Sequence, residues 1–221
     1  MRLGLNSCIV ILAVLGICLN YLEPNVAKNN VLYFTIQSNI WILGVSLIMC
    51  CFDWQHRKIP EIIFTVKFIF TVSITLTGIV YNLILAPQYG MLFGSFWRAY
   101  SVSVVLLHVV VPVLSVISFL YFDNVNSSKG LPLAGCVMPL LYFAGVMLLS
   151  LNGRSEGLFE GMGGGSTRFP YFFMDYETNG WFTFSGNIGE LGVFYWIAVG
   201  LLLTFALSAG LLWLKEKCLH R

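Results

Sequence analysis

A threonine and a histidine stand in stretches of this chain that are otherwise almost free of polar groups. A hydroxyl and an imidazole are the residue types of nucleophile–base chemistry. Thr35 lies in Tyr33-Phe34-Thr35-Ile36-Gln37-Ser38-Asn39, and His108 lies in Leu106-Leu107-His108-Val109-Val110-Val111-Pro112. A threonine hydroxyl is a weak nucleophile until a base takes its proton, and a neutral imidazole does this near pH 7. Attack on a carbonyl gives an acyl-threonine and a developing oxyanion, which hydrogen-bond donors stabilise. Ser38, Asn39 and Asn82 carry such donors, while Asp175 or Glu190 could orient the imidazole. The same groups would also serve plain hydrogen bonding between packed helices.

The elements that carry these residues are long apolar runs. Hydrophobic residues make up 58% of the 221 positions and charged residues only 10%, against roughly a quarter charged in a soluble domain. A bilayer can solvate that much apolar surface; a soluble fold of this size cannot hide it. Crossing a ~30 Å hydrocarbon core takes about 20 residues. Six runs qualify, at about 4–22, 31–51, 65–86, 101–121, 131–151 and 190–213. The expected fold is therefore an all-α integral membrane protein, a single six-helix domain over residues 1–221. Arg2 precedes the first run as in a signal peptide, but no small-x-small cleavage site follows, so the run is kept as a helix.

Lys and Arg set the orientation. With the N-terminus inside, the inner regions hold Arg2, Arg57, Lys58, Lys67, Lys129, Lys215, Lys217 and Arg221. The outer regions hold Lys28, Arg98, Arg154 and Arg168. That asymmetry favours both termini on the cytoplasmic side, and an even number of spans agrees. Asn126-Ser127-Ser128 matches a glycosylation pattern but faces the cytoplasm on this topology, so it reads as chance.

Depth brings the candidate residues together. Thr35, Ser38 and Asn39 share one face of the second helix. Thr35 lies about 6 Å along that helix from the outer side and His108 about 10 Å along the fourth. Pro112 cannot donate to the carbonyl of residue 108, which predicts a bend there and a free acceptor beside the imidazole. Tyr81 and Asn82 fall at the outer end of the third helix. His56 and His220 lie on cytoplasmic segments.

One loop is long, at about 152–189. The stretch Gly161-Met162-Gly163-Gly164-Gly165-Ser166-Thr167 lacks the lysine of a phosphate-binding loop and reads as a hinge. Beyond it, Phe169-Pro170-Tyr171-Phe172-Phe173-Met174-Asp175-Tyr176 and Trp181-Phe182-Thr183-Phe184 are strongly aromatic. Such a segment anchors at a membrane surface or folds over the bundle mouth as a lid. In the second case Asp175 and Trp181 would meet a substrate.

Tyr-Phe-Thr-Ile-Gln-Ser-Asn at 33–39, Leu-Leu-His-Val-Val-Val-Pro at 106–112 and Phe-Pro-Tyr-Phe-Phe-Met-Asp at 169–175 followed by Gly180-Trp181 resemble a bacterial branch of small six-helix membrane proteins. That branch is similar to the androgen-induced and androgen-dependent membrane hydrolases of animals. The resemblance implies Thr35 and His108 as a catalytic pair, a lipid-ester substrate and, for a bacterial chain, residence in the cell membrane.

Other functions are less well served. The net charge of +2 comes with no basic arm, so nucleic acid is not an expected partner. The cysteines, Cys8, Cys18, Cys50, Cys51, Cys136 and Cys218, lack paired C-x-x-C spacing, and no dinucleotide fingerprint appears. No cofactor or metal is therefore expected. A transporter would carry charged groups near the midplane and broken helices. A binding or scaffold protein of the same fold is the stronger alternative to an enzyme. The expected partners are membrane lipids.

Overall fold

The computed structural model describes residues 1–23, 30–88, 100–125, 130–160, 166–185 and 190–219. Lys28, Arg98, Lys129, Arg221, His220, the Asn126-Ser127-Ser128 pattern and the glycines at 161–165 lie outside them. Six of its helices are long and apolar enough to cross a membrane. They are α1 (Arg2–Leu22), α2 (Phe34–Trp54), α3 (Glu61–Gln88), α4 (Val102–Phe122), α5 (Leu131–Leu151) and α6 (Val193–Cys218). Their existence and order match the expectation. The largest boundary differences are the end of α6, which runs five residues further, and the start of α3, four residues earlier; α2 is shifted by three at both ends and α6 begins three later.

Local chemistry fixes the ends. Pro60 precedes α3 in an extended conformation, and Glu61 places a carboxylate in the first turn, where the helix dipole favours it. Ser101 caps α4 by accepting a hydrogen bond from the Val104 N–H. Past α2, His56 adopts φ 53°, a left-handed conformation that stops the helix.

Helices α1 to α4 form the centre of the bundle, α1 packing on α2 and α4 and α3 on the same two, while α5 and α6 pack on α3 and on each other. One apolar cluster joins Ile9, Ala13, Ile42, Val45, Ile74 and Val111 across all four central helices. A second, nearer the chain termini, contains Met49, Phe64, Phe68, Phe119 and Leu211.

Two wide turns interrupt the regular helices. Tyr81–Leu85 in α3 and Leu106–Val110 in α4 are π-helical. A π turn inserts one extra residue, and such insertions cluster at functional sites. In α4 it directly precedes Pro112, whose missing N–H already denies the helix one bond. The bend expected from Pro112 is thus accompanied by a widened turn that carries His108.

The opposite end of the bundle holds a second set of polar groups. Lys67 is fully buried inside α3, donating to Asn6 Oδ1 at 2.6 Å and Ser46 Oγ at 2.7 Å. Lys215 is also buried, and donates to the carbonyls of Phe119 and Leu120 at the end of α4. Both belong to the charge count that sets the expected orientation; their side chains lie inside the bundle, where a paired cation can satisfy acceptors that water cannot reach. Arg2 pairs with Asp53.

The aromatic loop divides in two. Phe169 and Met174 are buried against Val146, Met147, Phe159 and Val193, so this first part closes one end of the bundle. The second part, around Phe182 and Phe184, stays exposed, with Phe184 at 81%. It is tied to the start of α6, where Gly192 N–H donates to Thr183 O and Phe194 N–H to Trp181 O. A short antiparallel pairing, Phe159 with Thr167 and Glu160 with Ser166, joins the two edges of the glycine stretch.

Candidate active site

Thr35 sits in the first turn of α2, immediately after extended Tyr33. His108 sits in the π turn of α4. Thr35 Oγ1 and His108 Nε2 lie 3.2 Å apart. The other ring nitrogen, Nδ1, lies 3.0 Å from the carbonyl oxygen of Val104. A carbonyl only accepts, so Nδ1 carries the proton and Nε2 presents its lone pair to the threonine hydroxyl. That tautomer is the one a general base requires.

The imidazole is held on three sides. Tyr81, from the π turn of α3, stacks on it with centroids 3.8 Å apart and an interplanar angle of 27°. Leu107, its neighbour in the turn, is buried against Gly16 of α1. Below, Gly78 brings α3 so close that a Cβ there would lie 2.8 Å from the His108 carbonyl oxygen. His108 is only 7% exposed.

The acceptor freed by Pro112 finds a donor. Asn82 Nδ2 donates to His108 O at 3.2 Å and to Gly78 O at 2.7 Å, and its Oδ1 accepts from the Tyr100 hydroxyl at 2.8 Å. Asn39 Nδ2 similarly donates to Thr35 O and Leu107 O. Ser38 Oγ donates to Thr35 O at 3.0 Å or shares a proton with Thr77 Oγ1 at 2.9 Å. These three residues surround the pair as the sequence suggests. Their hydrogens, however, are committed to backbone carbonyls, which makes them positioning residues and not free donors for an oxyanion.

Asp175 and Trp181 lie elsewhere. Asp175 caps the short helix Tyr176–Asn179, accepting from the N–H groups of Glu177 and Thr178. Trp181 stacks on Tyr176 at 5.2 Å. Neither lines the cavity beside Thr35. Among the described residues no acidic side chain contacts His108: the Val104 carbonyl orients the imidazole, where Asp175 or Glu190 was expected to. A short polar side chain after Phe172-Phe173-Met174 is more useful as a helix cap than in an apolar pocket.

Tyr171 is the residue sequence reading passed over. It comes from the aromatic loop and brings its hydroxyl to the first turn of α2, beside the Thr35 side chain and the backbone N–H groups of Phe34 and Thr35. Tyr33 offers α2 no side-chain cap, and the N–H groups of that first turn, orphaned as at any helix start, lie on the Tyr171 side. Burial raises the Tyr171 phenol well above its ordinary range, so it stays protonated and can donate. Its ring stacks on Phe173 and meets Tyr33 and Tyr142 edge-on or tilted.

Thr35, Tyr81 and Tyr171 open onto a cavity of about 160 Å³. Apart from Thr77, Tyr142 and Thr204 its remaining wall is apolar, with Leu76 and Ile84 from α3, Leu140 and Phe143 from α5, and Trp196 and Leu203 from α6. Such a site suits a hydrocarbon chain whose reactive group stops at the hydroxyl. Among the described residues no group of three His, Cys, Asp or Glu is placed to hold a metal ion. Comparisons with protein-family models, with curated proteins and with solved structures return no match.

Proposed function

We propose that this chain is an integral membrane protein, both termini cytoplasmic, that hydrolyses esters of lipids with Thr35 as nucleophile and His108 as base. One observation carries the reading: the 3.2 Å contact between Thr35 Oγ1 and the unprotonated Nε2 of His108, at the edge of an apolar cavity. The six apolar helices support the membrane placement. The resemblance of residues 33–39, 106–112 and 169–175 to the animal membrane hydrolases points to the same two residues.

In this reading the ester carbonyl stops at Thr35 with its acyl chain in the cavity. The hydroxyl proton passes to His108 Nε2 as Oγ1 attacks. The oxyanion takes a hydrogen bond from the Tyr171 hydroxyl, with the first-turn N–H groups of α2 behind it. Collapse breaks the ester bond, and the imidazolium returns its proton to the departing alcohol. Water, deprotonated by the same nitrogen, then releases the acid and restores Thr35. Ser38, Asn39 and Asn82 hold the backbone of both helices while charge moves.

Turnover of a panel of lipid esters by the detergent-purified protein tests this. The wild type hydrolyses at least one ester, and Thr35→Ala and His108→Ala lose that activity by more than roughly 100-fold. Equal rates in the three proteins would leave a binding or scaffold role in the membrane.

A further inference from the structure

A second recess lies on the outer flank of the bundle, between α2 and α5, and it is separate from the cavity at Thr35. Its volume is about 550 Å³. Tyr142 lines both spaces and forms the partition between them.

The recess is sharply divided along its length. At the end that shares its level with Thr35 stand Arg154, Asn152 and Gln37. Arg154 is exposed and makes no ion pair or side-chain hydrogen bond among the described residues, and the Gln37 amide likewise has no hydrogen-bond partner among them. Farther along the helices the wall is Trp41, Met138, Leu141 and Leu149. From Leu149 to Met138 is about 16 Å of α5 at 1.5 Å per residue. Among the described residues no aspartate or glutamate lines the recess.

We propose that this recess is a binding site for an anionic phospholipid, with the phosphate on Arg154 and Gln37 and one acyl chain along Trp41, Leu141 and Met138. The proposal rests on the membrane placement given above and not on the hydrolase chemistry. That placement puts α5 in the hydrocarbon core and Arg154 at headgroup depth, where a guanidinium with no partner among the described residues and a phosphate are complementary in charge and shape. A free phosphate would leave the apolar length unfilled. A zwitterionic headgroup would bring an ammonium to a recess that offers no carboxylate among the described residues.

Gly145 supplies an independent handle. It lines the recess in mid-helix, and a Cβ there would meet nothing within 4 Å, so the open space beside it belongs to the recess. A large side chain at 145 starts from open space and extends into the groove.

The test is native mass spectrometry of the full chain purified in detergent and exposed to phosphatidylglycerol or phosphatidylcholine. Flotation with vesicles of the same lipids checks the membrane placement separately. The wild type is expected to retain one phosphatidylglycerol at least tenfold better than phosphatidylcholine. Arg154→Gln and Gly145→Phe are each expected to lose that preference. Equal retention of the two lipids by the wild type, or phosphatidylglycerol kept by either variant, overturns the proposal.

Discussion

Asn82 of α3 donates its side-chain amide to the backbone carbonyl of His108 in α4, at 3.2 Å. That carbonyl is the one Pro112 leaves without an N–H, so a side chain on one helix repairs a bond the sequence of the other cannot make. Both residues lie in π-helical turns. The two irregular turns therefore meet, and the catalytic candidate is fixed where they do.

Replacing Asn82 by Leu removes the donor while leaving the carbonyl buried. The expected loss is about 1–3 kcal/mol of stability, the cost of an unsatisfied buried acceptor. Thermal unfolding in detergent measures it, and a melting temperature unchanged from wild type would mean the bond contributes nothing.

Gly78 and Gly44 make a matched pair. A methyl group on Gly78 would lie 2.8 Å from His108 O, while one on Gly44 of α2 meets nothing within 4 Å. Gly78→Ala must push α3 and α4 apart, costing about 1–3 kcal/mol and loosening the contact with Thr35. Gly44→Ala should be neutral or stabilising by up to about 1 kcal/mol, since alanine is the better helix former. Equal stability of the two variants would contradict the close approach at Gly78.

Tyr171→Phe keeps the ring in its stack and removes the hydroxyl. If that hydroxyl serves the oxyanion, kcat falls by roughly 100-fold with KM little changed, as for loss of one donor. Steady-state kinetics on the best ester decides it: a change in KM alone would assign Tyr171 to substrate binding.

Asp123, just beyond α4, gives the fold a pH dependence. Its carboxylate is 3% exposed, and neither oxygen has a hydrogen-bond partner in the described structure. Burial pushes it up to about 6, against the pull of Lys67, Lys215 and Arg2 and with a small push from Asp53. The folded state thus holds this proton more tightly than the unfolded chain, whose carboxyl titrates near its ordinary value of 3.8. The stabilisation is complete below that lower value and is lost as pH rises through about 6. The swing is about 3 kcal/mol. Melting temperatures of wild type and Asp123→Asn between those limits test the sign: the wild type should fall and the variant should stay flat.

Much of the fold was legible because six long apolar runs leave a chain few alternatives. That Thr35 and His108 lie toward the same end of their helices was legible too, since helix rise converts sequence position to height, although α2 begins at Phe34 and Thr35 stands in its first turn and not about 6 Å along. Height does not fix rotation about the helix axis, so contact between the two became visible only with coordinates. The π turns at Tyr81 and Leu106 were hidden because one inserted residue leaves an apolar stretch looking regular. Tyr171 was hidden in a run of aromatics suited equally to anchoring and to lining a site. The burial of Lys67 was hidden because a lysine near a helix end usually faces water, and only Asn6 and Ser46 from other helices reveal it.

The most direct measurement is covalent. An alkyl fluorophosphonate bearing a long chain should enter the cavity and phosphonylate the activated hydroxyl, and peptide mass spectrometry then locates the adduct. The account predicts a modification on Thr35 that disappears in His108→Ala and persists in Thr35→Ser. An adduct confined to another residue, or one on Thr35 that forms equally fast without the imidazole, would contradict it.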